Sequence, residues 1–159
     1  MCGITGFIGN ENAYIQILAG LYQLQNRGYD SAGISVIEDG EIKTHKYAST
    51  DTLSALTQLS EFENQYENRF VGIGHTRWAT HGAKTDTNSH PHVSHDGLFS
   101  LVHNGIIENF QEIKKQLMEK GIEMKSQTDT EVIVNLIAIH FEECGDVEQA
   151  IKQTTEELT

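Results

Sequence analysis

The chain has 159 residues, enough for one domain with a substantial hydrophobic core but too few for two of ordinary size. Acidic residues outnumber basic ones by 23 to 11 and the formal net charge is -12, with no Lys- or Arg-rich block, so we expect neither nucleic acid nor a membrane as a partner. Two cysteines and the lack of a basic segment followed by a long apolar run favour a cytoplasmic protein.

The N-terminal part predicts a strand, a helix and a hairpin in that order. Residues 3–9 are apolar and β-prone, and a helix ending near Asn26 follows, because apolar residues recur at helical spacing at Ile15, Leu18, Ala19 and Tyr22. Residues 34–37 and 41–47 flank Asp39-Gly40, a pair that favours a tight hairpin turn since Gly accepts positive φ.

The middle of the chain alternates short elements with polar segments. A short helix is predicted over 49–58 and a polar loop over 60–69. Residues 71–75 and 98–102 are apolar enough for two buried strands, and each runs directly into a polar cluster. Pro91 makes its predecessor extended and marks a loop.

Two helices are predicted in the C-terminal part. One covers 108–120, and the other covers 129–141 and is apolar almost all round, which predicts burial. Thr128 and Glu131 have the spacing of a capping box. The carboxylates that follow, with Lys152 as a lone cation, predict a solvated helix face. Because strands and helices do not alternate regularly, the pattern favours an α+β fold or a layered sandwich.

Cys2 becomes the N-terminal residue once the initiator methionine is removed, which is expected before a small second residue. Its α-amine, with a reference pKa of about 7.7–8.0, can then serve as the base for its own thiol. Taken alone, position 2 more often holds a small buried residue at a strand end. The neighbouring motifs therefore decide between a nucleophile and a packing residue.

Polar motifs stand beside the predicted strand and helix ends, at 27–33, 74–82, 88–92, 103–109 and 126–131. An amino-acid substrate with a side-chain amide needs a cation for its carboxylate, an anion for its ammonium and donors for the oxyanion. Arg77, Asp129 and Asn104-Gly105 are candidates for these three tasks. The alternatives are a surface ion pair, a helix first turn and a simple turn, respectively.

Six of the eight histidines lie between His75 and His103, so a metal site is an alternative. His90, His92 and His95 are too close for a helix-borne pair, and no Cys ligand or His-Glu-x-x-His motif accompanies them. Hydrogen-bonded loop histidines explain the cluster better, and we expect no metal or other cofactor.

Together, these motifs resemble the glutaminase domains of the glucosamine-6-phosphate synthase family, the glutamine–fructose-6-phosphate amidotransferases. The resemblance runs from residue 1 to about residue 131. Other glutamine amidotransferases with an N-terminal nucleophile share the initial Cys-Gly-Ile, but the strings Trp-Ala-Thr-His-Gly and Asn-Gly-Ile-Ile-Glu-Asn point to this family.

The resemblance implies a role for each motif. Cys2 would be the nucleophile, with its own amine as base, and Asn104 and Gly105 would form the oxyanion hole. Arg77 and Asp129 would hold the two ends of L-glutamine, and Arg27 would support Cys2 from behind. The remaining pocket residues would be Trp78, on a closing loop, and Thr80, His81 and His90.

The resemblance also implies a fold and a context. The fold would be a four-layer αββα sandwich of the N-terminal-nucleophile hydrolase type, with its C-terminal strands missing after residue 159. The family continues into a sugar-phosphate isomerase domain that receives the ammonia for fructose 6-phosphate, and its full-length members form homo-oligomers. We therefore expect an incomplete amidotransferase domain over 1–159 that hydrolyses glutamine; the alternative is a silent glutamine-binding or regulatory fragment.

Overall fold

A computed structural model describes residues 2–27, 30–78 and 83–159. Its main sheet has four strands, β1 (Gly3–Ile8), β2 (Ser31–Glu38), β3 (Glu41–Ala48) and β4 (Val71–Arg77). They are ordered β1-β4-β2-β3, and every neighbouring pair is antiparallel. A two-stranded antiparallel sheet consists of β5 (His92–Val93) and β6 (Ser100–Leu101).

Five α-helices flank the two sheets in the part of the chain that the structure describes. They are α1 (Ala13–Gln23), α2 (Ala55–Ser60), α3 (Phe110–Glu119), α4 (Asp129–Cys144) and α5 (Val147–Glu157). A 3-10 turn, Gln25–Arg27, follows α1. None of the helices described is long and apolar enough to cross a membrane.

The elements form four layers. α1 and α2 pack on one face of the main sheet through a core that includes Tyr14, Ile17 and Leu59. The small sheet lies against the other face, where Ser100 Oγ donates to Ser35 Oγ at 2.8 Å. α4 covers the small sheet, and α3 and α5 pack against α4. The order helix, sheet, sheet, helix confirms the expected α+β sandwich.

The hairpin prediction is confirmed at residue level. Glu38 pairs with Glu41, which leaves a two-residue loop, and both loop residues have positive φ, 52° at Asp39 and 85° at Gly40. These angles match the turn whose twist suits antiparallel strands. The burial predicted for α4 is also confirmed, because every residue from 130 to 139 is buried.

Several predicted boundaries are wrong. The helix predicted over 49–58 begins only at Ala55, because Ser54 caps it by accepting from Thr57 N. The strand predicted over 98–102 shortens to Ser100–Leu101, since only that segment pairs with β5. The first helix, predicted to end near Asn26, ends at Gln23. The segment that forms α5 was predicted as a solvated helix face but without bounds.

The predicted capping box is wrong. Thr128 makes no side-chain cap bond to α4. The Glu131 carboxylate instead accepts from Lys125 N at 2.8 Å, and from Ser126 N and Oγ at 2.6 Å each. A buried carboxylate is stabilised best by several hydrogen-bond donors. Lys125 and Ser126 supply three donors to Glu131, whereas the backbone N–H of the cap residue, Thr128, would supply one.

Candidate active site

A cavity of about 330 Å³ opens where β1 begins and β4 ends. Antiparallel pairing brings these two ends together, since Gly3 is opposite Thr76. Five chain segments line the cavity, and they contribute Cys2; His75, Arg77 and Trp78; His90; His103, Asn104, Gly105, Ile106 and Phe110; and Gln127, Thr128, Asp129 and Thr130. Most of the residues that the sequence assigned to a site are therefore in one pocket.

Cys2 lies on the cavity wall, half-buried, directly before β1. Its sulfur contacts the backbone of Trp78: the Trp78 N–H donates to Sγ at 3.3 Å, and the thiol points to Trp78 O at 3.7 Å. These two contacts hold the sulfur between the backbone N–H and C=O of Trp78, at the cavity wall. The Trp78 side chain is 42 % exposed, so the ring is accessible at the rim.

Asn104 lies beside Cys2. Its Nδ2 donates to the Cys2 carbonyl oxygen at 3.3 Å, and its Oδ1 is 2.8 Å from His75 Nε2. Gly105 follows on the cavity wall, close to the His103 ring, which a Cβ at this position would meet at 2.6 Å. The Asn104 amide thus contacts the backbone of Cys2, and Gly105 lines the same cavity. A side-chain amide and a backbone N–H are the kind of donor pair that an oxyanion hole uses.

Arg77 ends β4 and is 7 % exposed. Its backbone carbonyl accepts from Asp30 N at 3.1 Å, which fixes the end of the strand. Burial lowers the pKa of the guanidinium, and the negative charges of Asp30 and Asp129 act in the opposite direction. A guanidinium remains cationic at neutral pH, so this side of the cavity can hold a carboxylate.

Asp129 begins α4, where the helix dipole favours a negative charge. Its Oδ2 accepts from Ile107 N at 2.9 Å, and Thr130 Oγ1 is 3.5 Å from its Oδ1. The carboxylate therefore ties the start of α4 to the segment that carries Asn104. Its second oxygen keeps acceptor capacity for an ammonium group in the cavity.

Three histidine rings pack together between the sheets. His75 and His90 are stacked with centroids 4.3 Å apart, and His92 meets His90 edge-on at 4.8 Å. Burial, with smaller contributions from nearby positive groups, lowers the pKa of His75 to about 4 and lowers those of His90 and His92 further. The three rings are neutral at pH 7 and act as hydrogen-bonding and packing groups.

The loop that carries His90 is fixed by polar contacts on both sides. Lys46 Nζ donates to Ser89 O at 2.8 Å, and burial lowers the pKa of this lysine to about 8. Asn88 Oδ1 accepts from Gln127 N at 2.9 Å, which links the loop to the segment before α4. No three His, Cys, Asp or Glu side chains are grouped to hold a metal ion in 2–27, 30–78 or 83–159.

Some predicted site residues are not placed in the cavity. Thr80 and His81 lie outside the described residues, as does the Arg27 side chain. Other lining residues, among them His75 and Gln127, received no role from the sequence although they stand in the motifs that it singled out. Their positions two residues before Arg77 and Asp129 were the sequence signal that could have identified them as lining residues.

Comparisons with known proteins show to which family this chain is related. A family model described as "Glutamine amidotransferase domain" matches residues 60–151. The glutamine–fructose-6-phosphate aminotransferase [isomerizing] of Caldanaerobacter subterraneus subsp. tengcongensis is 46% identical over 99% of this chain and 25% of its own length. The protein of the same name from Clostridium perfringens is 47% identical with the same coverage. The chain thus spans about a quarter of the length of these relatives.

Solved structures are similar over the whole chain. Glutamine phosphoribosylpyrophosphate amidotransferase from B. subtilis, solved with ADP and GMP, gives a TM-score of 0.76 at 27% identity, covering 100% of this chain and 33% of that one. A structure described as the allosteric regulatory enzyme of purine biosynthesis gives 0.79 at 27%, covering 99% and 33%. These likenesses confirm the expected N-terminal-nucleophile hydrolase type of fold.

Proposed function

Because the chain belongs to the glutamine amidotransferase domain family, we propose that it hydrolyses L-glutamine to L-glutamate and ammonia with Cys2 as the nucleophile. The observation that carries the proposal is the placement of a thiol, an amide donor, a buried cation and a carboxylate around one cavity. These groups match the amide, the carboxylate and the ammonium of glutamine. The cavity size of about 330 Å³ suits a small amino acid.

Arg77 and Asp129 hold the substrate at its amino-acid end in this proposal. The guanidinium binds the α-carboxylate through charge-assisted hydrogen bonds, and the Asp129 carboxylate binds the α-ammonium. The side-chain amide then extends towards Cys2 and Asn104. Trp78 at the rim covers the bound substrate, and His90 closes the inner wall.

The reaction proceeds through a thioester. Removal of the initiator methionine gives Cys2 a free amine, which takes the thiol proton as Sγ bonds to the amide carbon. The Asn104 amide and the Gly105 N–H stabilise the oxyanion, and the amine returns the proton to the departing nitrogen as the C–N bond breaks. Water then attacks the glutamyl thioester, which releases glutamate and restores the thiol.

The ammonia serves a second reaction in the whole protein. The similar relatives are named for an isomerizing aminotransferase acting on fructose 6-phosphate, and this chain covers a quarter of their length. We therefore propose that the amidotransferase domain of this chain supplies ammonia to a sugar-phosphate isomerase domain, in a homo-oligomeric cytoplasmic enzyme.

Ammonia and glutamate release from L-glutamine tests the hydrolysis directly. The chain with Met1 removed and a verified Cys2 N-terminus should release both in equal amounts, and Cys2→Ala should release neither. Cys144→Ala is the matched control, because that cysteine lies at the end of α4 and is not among the residues lining the cavity. L-Asparagine, one methylene shorter, should react at least about 10-fold more slowly.

An N-terminal extension separates the contribution of the Cys2 thiol from that of the free α-amine. A version that retains residues before Cys2 keeps the thiol but lacks the free α-amine, so it should lose turnover. Full turnover by this extended protein would exclude the amine as the base. Absence of turnover from the processed chain would favour the silent-fragment alternative.

A further inference from the structure

His75 contacts Asn104, and the proposed reaction gives His75 no part. It lies on β4 two residues before Arg77, is 1 % exposed, and places Nε2 at 2.8 Å from Asn104 Oδ1. The two residues are 29 positions apart in sequence, so the contact is a product of the fold. A buried side chain aimed at the oxyanion-hole amide, rather than at the substrate, suggests an indirect role.

The neighbouring carbonyl of Cys2 fixes the orientation of this amide. A backbone carbonyl only accepts hydrogen bonds, so the Asn104 atom 3.3 Å from Cys2 O has to be the donor Nδ2. Oδ1 therefore faces His75, and His75 has to carry its proton on Nε2. The reversed amide would place two carbonyl oxygens against each other and leave a ring N–H unpartnered.

The surroundings keep His75 in this form. The ring stacks on His90, and Arg77 adds a positive charge on the same strand. Burial lowers the pKa of His75 to about 4, so the ring stays neutral across the physiological range. A neutral ring with one donating nitrogen can hold an amide in a single orientation.

We propose that His75 is a positioning residue that donates from Nε2 to Asn104 Oδ1 and thereby directs one Nδ2 hydrogen to Cys2 O and the other to the oxyanion. The inference rests on the proposed glutamine hydrolysis. Of these two residues, only Asn104 touches the reacting atoms, and His75 acts through it. Without His75, the amide can rotate, and the oxyanion hole loses its pre-organised donor.

A double-mutant cycle tests this connection. His75→Phe keeps an aromatic ring against His90 but removes the donor, and it should lower kcat about 10-fold or more with KM changed less than about 2-fold. In an Asn104→Ala background the same substitution should change kcat by less than about 2-fold, because its target is gone. His75→Gln, which retains an N–H donor, should recover part of the loss. Equal losses from His75→Phe in both backgrounds would overturn the proposal.

A spectroscopic measurement is independent of turnover. Long-range ¹H–¹⁵N spectra of the ¹⁵N-histidine-labelled chain should show His75 protonated on Nε2 at pH 7, and His75→Phe should shift the Asn104 side-chain NH₂ signals. A proton on Nδ1, or unmoved Asn104 signals, would contradict the inference. If the predicted spectra occur in a chain that hydrolyses no glutamine, the positioning contact stands and the proposed function fails.

Discussion

Asp129 Oδ2 accepts a hydrogen bond from Ile107 N at 2.9 Å, so the first residue of α4 also holds the end of the segment that carries Asn104. In the proposed mechanism, the substrate ammonium and the oxyanion loop therefore share one carboxylate. Binding of the amino-acid end of glutamine and alignment of its amide end would then be connected. Two substitutions at Asp129 can separate them.

Asp129→Asn removes the charge but leaves an oxygen to accept from Ile107 N. We expect KM for glutamine to rise about 10- to 100-fold, the loss of a charge-assisted hydrogen bond, while kcat falls little. An analogue of glutamine without the α-amine should be affected much less. Equal losses for both substrates would assign Asp129 to the helix start alone.

Asp129→Ala removes both the charge and the acceptor, so it is the matched comparison. We expect it to lower kcat in addition to raising KM, because Ile107 N loses its partner and the neighbouring Asn104 segment loses its anchor. Steady-state kinetics on the two variants measure the difference. Identical kcat values for the two variants would show that the bond to Ile107 does not align the oxyanion hole.

Asn104→Ala removes the side-chain donor proposed for the oxyanion. Loss of such a donor lowers kcat by about 10²–10³ in comparable sites, with a smaller change in KM. Asn12→Ala is a matched control, since Asn12 caps α1 by accepting from Ile15 N at 3.3 Å and lies outside the cavity lining. This control should lose about 0.5–2 kcal/mol of stability and keep its kcat. A change in KM alone would assign Asn104 to substrate binding.

Local features of the sequence predicted the parts of the fold that depend on nearby residues. Asp39-Gly40 determined its hairpin because the turn needs two positive φ angles. The burial of α4 was predicted because its residues are apolar almost all round the helix. The site motifs were identifiable because Cys2, Arg77 and Asp129 each stand at the end of a predicted element.

Features that depend on distant partners were not predicted. The capping box failed for a local reason, because Glu131 accepts from Lys125 N and Ser126 N instead of from the cap residue. The short β5–β6 pairing cannot be recognised in two-residue strands. The contact between His75 and Asn104 was not predicted, because the two residues are 29 positions apart in sequence and meet only in the folded chain.

The buried histidines predict how stability changes with pH. The pKa of His75 is about 4 in the folded chain and near its ordinary value of 6.5 in the unfolded chain. Between these values the unfolded chain binds a proton that the folded chain does not, so stability is complete above pH 6.5 and is lost as pH falls towards 4. His90 and His92 act in the same direction, and each contributes a slope of up to about 1.4 kcal/mol per pH unit.

Urea unfolding at pH 7.5, 6.5, 5.5 and 4.5 measures this slope. His90→Phe removes one of the titrating rings and keeps an aromatic group in the stack, so its unfolding free energy should fall less steeply over this range than that of the unsubstituted chain. Parallel pH profiles for the two proteins would show that His90 is protonated equally in the folded and unfolded states.

Gly33 on β2 lets the loop that carries His90 approach the main sheet. A Cβ at this position would lie 2.2 Å from His90 O and 2.6 Å from Lys46 Cβ, distances at which the backbone has to move. We expect Gly33→Ala to cost at least about 1–3 kcal/mol of stability, as overpacking does, and to lower glutamine affinity because His90 lines the cavity.

Gly6→Ala is the matched control on β1, where the nearest atoms to an added Cβ are 3.8 and 3.9 Å away. That spacing is ordinary van der Waals contact, so this variant should keep both its unfolding midpoint and its KM. Chemical denaturation and KM measurements on the two variants compare the effect of one added methyl group at a crowded position, Gly33, and at an open one, Gly6. If Gly33→Ala were as stable and active as Gly6→Ala, the close approach of the His90 loop to β2 would be unnecessary for the site.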